Sequence, residues 1–323
     1  MGGGKKVETS LTKTNKNYFR EKLNDTKRYM VKRQYLYYMS IPGLVYIIIF
    51  RYIPMYGIIM AFQDFSFRLG IFGSKFNNFA NFKQLFGSEQ FYTVFSNSIL
   101  LSISRLVVSF PVPIILALLL NEIKSLKFKK TSQTLMYLPH FISWVVLGGI
   151  LTNFLSMNDG LINAFIVKLG GTKINFLGSA KWFRTVIIGS SIWKEAGWGT
   201  IIYLAGLSAI NPEYYEAATV DGANRFQKLW YITLPSLANT IVIMLILSVG
   251  GIMNNGFEQI YLFQNGLNIS VSQVFETYIY HIGIVGGRYS YSTAVELFKS
   301  VIAAALLLFT NRIANKLRGT SLF

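Results

Sequence analysis

No cysteine occurs among the 323 residues, and only two histidines do, His140 and His281. Neither a disulfide framework nor a thiolate metal site can be built, and neither imidazole has a second ligand at metal spacing. No metal and no catalytic role is assigned to either. Charge is also scarce: 14% of residues are charged, against ~25% in an ordinary soluble domain. No G-x-x-x-x-G-K-[ST] loop is present, so nothing here cradles the phosphates of ATP; GGGKK near the N-terminus lacks both the spacing and the hydroxyl. MGGGKKVETS has no apolar core of a signal peptide, and Lys6 stands where myristoylation needs serine or threonine.

The remainder is apolar, with 52% hydrophobic residues and a mean hydropathy of +0.40. A bilayer core ~30 Å thick is crossed by ~20 helical residues. Six stretches reach that length, at 37–62, 96–120, 135–155, 182–210, 237–263 and 292–313. The composition implies an all-α polytopic membrane protein with about six transmembrane helices and no internal repeat. The expected organisation is a basic N-terminal segment over 1–34, a membrane domain over 35–318 and a short tail over 319–323.

A net charge of +17 raises the question of nucleic acid, and the position of the cations answers it. Ten of the 31 basic residues precede residue 37, and Lys124, Lys127, Lys129, Lys130, Arg225, Lys228, Arg312, Lys316 and Arg318 fall on segments of the same side. Seven lie in the segments of the opposite side. This bias places both termini in the cytoplasm and removes nucleic acid as the expected partner. The segment from Asn17, NYFREKLNDTKRYMVKRQYLYYM, mixes basic and aromatic residues as an interfacial helix on anionic lipid does. The outer segments 63–95, 156–181 and 264–291 are rich in Gly, Asn, Phe and Tyr and offer surfaces to an external partner.

Between the fourth and fifth stretches lies EAATVDGANRFQKLWYITLP, residues 216–235. Asn211-Pro212-Glu213 starts a helix with a capping residue, a proline at the first helical position and an acid at the positive end of the dipole. Asp221-Gly222 supplies a turn, a second short helix runs through Phe226 and Trp230, and Leu234-Pro235 enters the next span. Two alanines make one face small, with Glu216 and Asp221 at its rim, a shape suited to docking as well as to an ordinary capped loop.

Glu216-Ala217-Ala218, Gly222 after three further residues, and Leu234-Pro235 resemble the EAA motif of permease subunits of binding-protein-dependent ABC importers. The stretch YLYYMSIPGLVYIIIFRYIPMYGIIMAFQDF from Tyr35 is similar to the first span of the carbohydrate-uptake class, in its polysaccharide branch of alginate- or pectin-fragment type. The resemblance implies an ABC importer permease fold in a bacterial inner membrane. It implies a coupling helix formed by Glu216, Ala217, Ala218, Asp221 and Gly222, which enters a groove on a cytoplasmic ATPase. It further implies a second homologous permease, two ABC ATPase subunits that hold ATP and magnesium, and an external solute-binding protein delivering an oligosaccharide. This chain would bind no cofactor and would not be an enzyme.

Ionisable and polar residues inside spans face a pore or a partner. Arg51 near Pro54, Arg105, the adjacent Lys194 and Glu195, Glu258, and Glu296 with Lys299 are such residues. Lys194 and Glu195 diverge by ~100° on a helix and are not expected to pair with each other; Glu296 and Lys299, three apart, are. Asn254 and Asn255 sit where the resemblance places sugar contacts, and Trp193, Trp198 and Tyr203 have faces that stack on sugar rings. Each also has a structural reading, as helix glue, interfacial anchor or snorkelling cation. Arg51, Arg105 and Lys194 together would suit an acidic oligosaccharide. An ion-coupled secondary transporter, an ABC permease for a non-sugar solute and a membrane enzyme acting on lipid-linked sugars remain as other readings at this stage.

Overall fold

A computed structural model describes residues 28–318. Most of the expected interfacial helix from Asn17, and the tail 319–323, lie outside these residues. The chain divides into two compact units, Met1–Ile59 and Met60–Phe323.

Within the first unit, α1 (Gln34–Ile47) carries Pro42 in its interior. It continues as a π-helical turn, Ile48–Tyr52, and the 3₁₀ segment Ile53–Phe62. Pro54 explains the change of winding, since it donates no hydrogen bond and its ring crowds the carbonyl four residues earlier. The whole of Gln34–Phe62 is long and apolar enough to cross a membrane.

The second unit opens on a hairpin, with β1 (Gln63–Asp64) antiparallel to β2 (Lys75–Phe76) in the register Gln63↔Phe76 and Asp64↔Lys75. Helix α2 (Ala80–Phe86) leads to α3 (Glu89–Ser109) and α4 (Pro111–Glu122), which together make a 34-residue span. Pro111 at the first position of α4 restarts the ladder without a donor. Next come α5 (Leu126–Tyr137), α6 (Trp144–Leu155), α7 (Leu161–Lys168) and the 29-residue α8 (Ala180–Ser208). The chain continues through α9 (Pro212–Val220), α10 (Arg225–Lys228), α11 (Leu234–Gly250), α12 (Phe257–Phe263), α13 (Ile269–Ser272) and α14 (Phe275–Ile279). It ends on α15 (Tyr289–Arg318).

The expected count of six spans is refined by this architecture. Among the described residues, four helices are long and apolar enough to cross, or five if Leu126–Phe141 and Trp144–Leu155, bent by 98° to each other, count as one. The stretch 135–155 is therefore a broken pair, because Pro139 lies in a 3₁₀ turn that ends the ladder. The stretch 237–263 is also broken, with α11 ending at Gly250 and α12 starting at Phe257 after Gly256 at φ +79°. Helix α8, at about 44 Å, has the length of a span, but Lys181, Arg184, Lys194 and Glu195 lower its hydropathy. The outer segments, read as loops, contain α2, α7, α13 and α14.

Helix α8 is shared by two of the three buried clusters. One joins Leu101 of α3 to Phe183 and Ile187 of α8 and to Ile260 and Phe263 of α12. A second joins Ala117 of α4 to Tyr203 and Leu207 of α8 and Leu237 of α11. The third packs Phe91 of α3, Phe275 and Tyr278 of α14, and Tyr291 and Val295 of α15. Small residues let α8 approach its neighbours closely, as is general for helix packing in lipid. A Cβ on Gly197 would overlap the backbone carbonyl of Met136, and one on Gly199 would stand 3.0 Å from the Pro113 ring.

A Gly197→Ala variant should therefore destabilise the protein by about 1–3 kcal/mol, the usual cost of overpacking. Thermal unfolding in detergent measures it, with Gly189→Ala as the control, since nothing lies within 4 Å of a Cβ there.

Candidate functional site

The 211–235 loop is built as its residues dictate. The Asn211 side chain accepts from the Glu213 amide at 3.0 Å and donates to the Glu213 carboxylate at 3.0 Å. Helix α9 closes in a Schellman arrangement: the Ala223 amide donates to the Ala218 carbonyl at 2.8 Å, and the Gly222 amide to the Thr219 carbonyl at 3.1 Å. Gly222 occupies the left-handed position, φ +77°, which a side chain would strain. Asn224 and Gln227 then form a reciprocal capping box for α10. Lys228 donates to the Thr219 hydroxyl at 2.7 Å and Tyr215 meets Thr233 at 3.0 Å, tying the two short helices and the π turn Leu229–Thr233 into one knuckle.

This knuckle presents an unpartnered face. Glu216, Ala217, Asp221 and Gly222 are exposed and Ala218 is half-buried. Tyr214, Val220 and Phe226 are exposed around them, Val220 at 89%. The Glu216 carboxylate has no hydrogen bond or ion pair among the described residues. Small residues, the free carboxylates of Glu216 and Asp221 and exposed apolar side chains make an interaction surface.

A second feature lies at the break between α11 and α12. A cavity of about 350 Å³ is lined by Ser102, Arg105 and Ser109 of α3, Tyr203 of α8, Ser248 of α11 and Asn254 and Asn255 of the break, among others. Asn255 is 1% exposed. Its backbone N–H donates to Glu276 Oε1 at 3.0 Å, and its Oδ1 lies 3.2 Å from Ser102 Oγ. Ser102 also donates to the Ile252 carbonyl, and Arg105 donates through Nη1 to the Asn255 carbonyl and through Nη2 to Gln259 Oε1. Gln259 Nε2 in turn donates to the Ile187 carbonyl at 2.7 Å and to Ser190 at 2.8 Å. Lys299 stands 3.8 Å from Glu276 and 3.0 Å from Glu296, the expected i,i+3 pair. Burial raises the Glu276 carboxyl above its ordinary pKa, and Lys299 pulls the other way.

Of the residues singled out in the sequence, Arg105, Asn254, Asn255 and Tyr203 reach this cavity. Ser102, Gln259 and Glu276 were not singled out. Ser102, Arg105 and Ser109 recur at i, i+3 and i+7 in a run whose other residues, Ser104 apart, are apolar, the pattern of one polar helix face. Glu258, Trp193 and Trp198 are exposed, and Arg51 is exposed within the first unit.

Lys194 and Glu195 correct an expectation, because they do pair, Nζ to Oε1 at 3.1 Å. Their backbone directions diverge, but both flexible side chains turn to the bend between α5 and α6. Lys194, 6% exposed, donates to the His140 carbonyl at 2.6 Å and lies 5.6 Å from the centre of the Trp144 ring. Glu195 Oε2 is 2.7 Å from His140 Nδ1, and the His140 ring stacks on Trp198 at 4.5 Å. No cluster of three or more potential metal-ligating His, Cys, Asp or Glu residues occurs among the described residues.

Comparison with known proteins places these features in context. The family described as "Binding-protein-dependent transport system inner membrane component" matches residues 94–319. The chain is 47% identical to the protein LplB of Bacillus subtilis over 290 residues, covering 90% of this chain and 91% of that one. It is 46% identical to the polygalacturonan/rhamnogalacturonan transport system permease protein YteP of the same organism, covering 89% of each. Among solved structures it superposes, with a TM-score of 0.84 and 39% identity, on a chain of a bacterial ABC transporter involved in import of the acidic polysaccharide alginate, covering 90% of this chain and 98% of that one. A TM-score of 0.85 and 39% identity relate it to a bacterial alginate ABC transporter in complex with an alginate pentasaccharide-bound periplasmic protein, covering 91% of this chain and 99% of that one.

Replacing Lys194 by Met should leave the His140 carbonyl and Glu195 without their cation and cost about 1–3 kcal/mol. Glu195→Gln, at a half-exposed position, should cost less. Thermal unfolding of the two purified variants in detergent checks the order.

Proposed function

The chain belongs to the inner membrane components of binding-protein-dependent transport systems, and from that membership we propose that it is the permease of an ATP-driven importer of oligosaccharides derived from acidic polysaccharides. It is a multi-pass transport subunit of a bacterial inner membrane and not an enzyme. In the proposed arrangement both termini are cytoplasmic, the 211–235 knuckle faces the cytoplasm, and the segments 63–95, 156–181 and 264–291 face outward. The assembly comprises this chain, a second related permease, two ATPase subunits that carry ATP and magnesium, and an external binding protein that hands over the sugar. The similarity to YteP and to the alginate importer supports the substrate class.

The observation that carries the coupling role is the knuckle itself: a rigidly capped pair of short helices with a free Glu216 on an exposed face of small residues. Closure of an ATPase dimer pushes on this face and the spans change from inward- to outward-facing. Sugar then enters past Asn254, Asn255 and Tyr203, whose cavity lies on the same helices. Family membership disfavours the ion-coupled alternative, whose energy would not come from a separate ATPase.

Glu216→Ala should reduce substrate-stimulated ATP hydrolysis and uptake by tenfold or more and weaken co-purification of the ATPase, with the thermal unfolding of this chain unchanged. Undiminished uptake and assembly in that variant would remove the coupling role. Affinity purification from the native membrane with mass spectrometry should return a P-loop ATPase and a second permease.

A further inference from the structure

Three buried polar atoms of residues lining the cavity at the helix break have no hydrogen-bond partner among the described residues: Arg105 Nε, Asn255 Nδ2 and Ser109 Oγ. The first two are donors only, and the third can donate. Buried donors are nearly always matched. Three unmatched ones lining a single space call for a ligand that brings acceptors. The cavity, about 350 Å³, falls within the ~300–1,000 Å³ of small-molecule sites.

Arg105 is also fixed before any ligand arrives. Its Nη1 and Nη2 are held by the Asn255 carbonyl and by Gln259, and Gln259 is anchored to Ile187 and Ser190 of α8. These bonds occupy one side of the guanidinium and leave the Nε–H unused. Arg105 makes no ion pair among the described residues, whereas Lys299 has both Glu276 and Glu296. A fixed cation, an amide donor and a hydroxyl on residues around one space match a carboxylate, which accepts from several donors at once; Glu276 acts on Arg105 electrostatically but forms no ion pair with it.

We propose that Arg105, with Asn255 Nδ2 and Ser109 Oγ, holds the carboxylate of a uronic acid residue as it passes, so that Arg105 determines selectivity for acidic over neutral oligosaccharides. This rests on the oligosaccharide reading above and adds to it the residue and the chemical group that are matched. Lys194 plays no part, since its ammonium is spent on the His140 carbonyl and Glu195.

The test uses the assembled permease–ATPase complex without its binding protein, so that the binding protein's own preference does not enter. Equilibrium dialysis compares trigalacturonate with its methyl ester, which has the same length and no charge. Wild type should bind the acid at least tenfold more tightly. Arg105→Gln should abolish that preference, the acid losing more affinity than the ester, and Ser109→Ala should weaken the acid by a smaller factor. Arg105→Lys, which keeps the charge but not the planar edge, should restore only part of the preference. Assembly of each variant is checked by size-exclusion chromatography. If Arg105→Gln does not assemble, Asn255→Asp replaces it; placing a like charge beside the ligand should select against the acid.

A wild-type complex that binds both probes equally, or an Arg105→Gln complex that keeps the preference, would overturn the proposal. A complex that binds neither probe but imports oligosaccharide in proteoliposomes with its binding protein would overturn this site alone. Absence of any oligosaccharide import would overturn the underlying reading.

Discussion

A helix interrupted inside hydrocarbon frees backbone groups that lipid cannot satisfy, so each interruption has to be closed by protein. The chain interrupts two of its apolar stretches, at the bend after Pro139 and at the Gly251–Gly256 break, and side chains from neighbouring helices close both. The His140 carbonyl receives the ammonium of Lys194. At the second break Ser102 serves the Ile252 carbonyl, Arg105 the Asn255 carbonyl, and Glu276 the Asn255 amide. These charged residues are costly in lipid on their own. They persist because the irregular backbone needs them as much as they need it.

The two breaks differ in what is left over. The cluster at the bend is closed on itself, with Lys194, Glu195, His140 and Trp198 all engaged with one another. The cluster at the second break is satisfied on its backbone side and unsatisfied on its cavity side. A polar network half-matched in this way is a poor device for stability and a good one for reception of a passing ligand.

Local signals were legible where local chemistry decides the structure. The Asn211 cap, Pro212 at the start of α9, the turn at Gly222 and the Glu296–Lys299 pair follow from spacing alone, and the structure bears them out. The Schellman closure gives two of the loop's residues a physical reason, since Gly222 adopts the left-handed turn and Ala218 offers its carbonyl to it. What spacing could not reveal was decided by distant chain. Lys194 and Glu195 meet because a carbonyl more than fifty residues away in sequence lies between their reach. The break within 237–263 was marked by glycines and asparagines, yet hydropathy averaged over the stretch concealed it. Glu276 and Gln259 were passed over because their importance arises only when α12 and α14 are brought against α3 and α8.

Helix α8 touches every one of these features in turn. Its middle receives Gln259 through Ile187 and Ser190, then carries Lys194 and Glu195 to the bend, then places Tyr203 on the cavity, and it ends at Ser208, just before the Asn211 cap. Over 29 residues it contains no proline and no change of winding. A continuous hydrogen-bonded rod has low axial compliance, so a small displacement at its knuckle end arrives at the cavity undiminished instead of being absorbed on the way. The neighbouring pairs α5–α6 and α11–α12, each broken along its length, are the compliant ones. The fold thus sets a stiff strut between two hinged neighbours, and the place where strain accumulates under load is the broken neighbours rather than the strut.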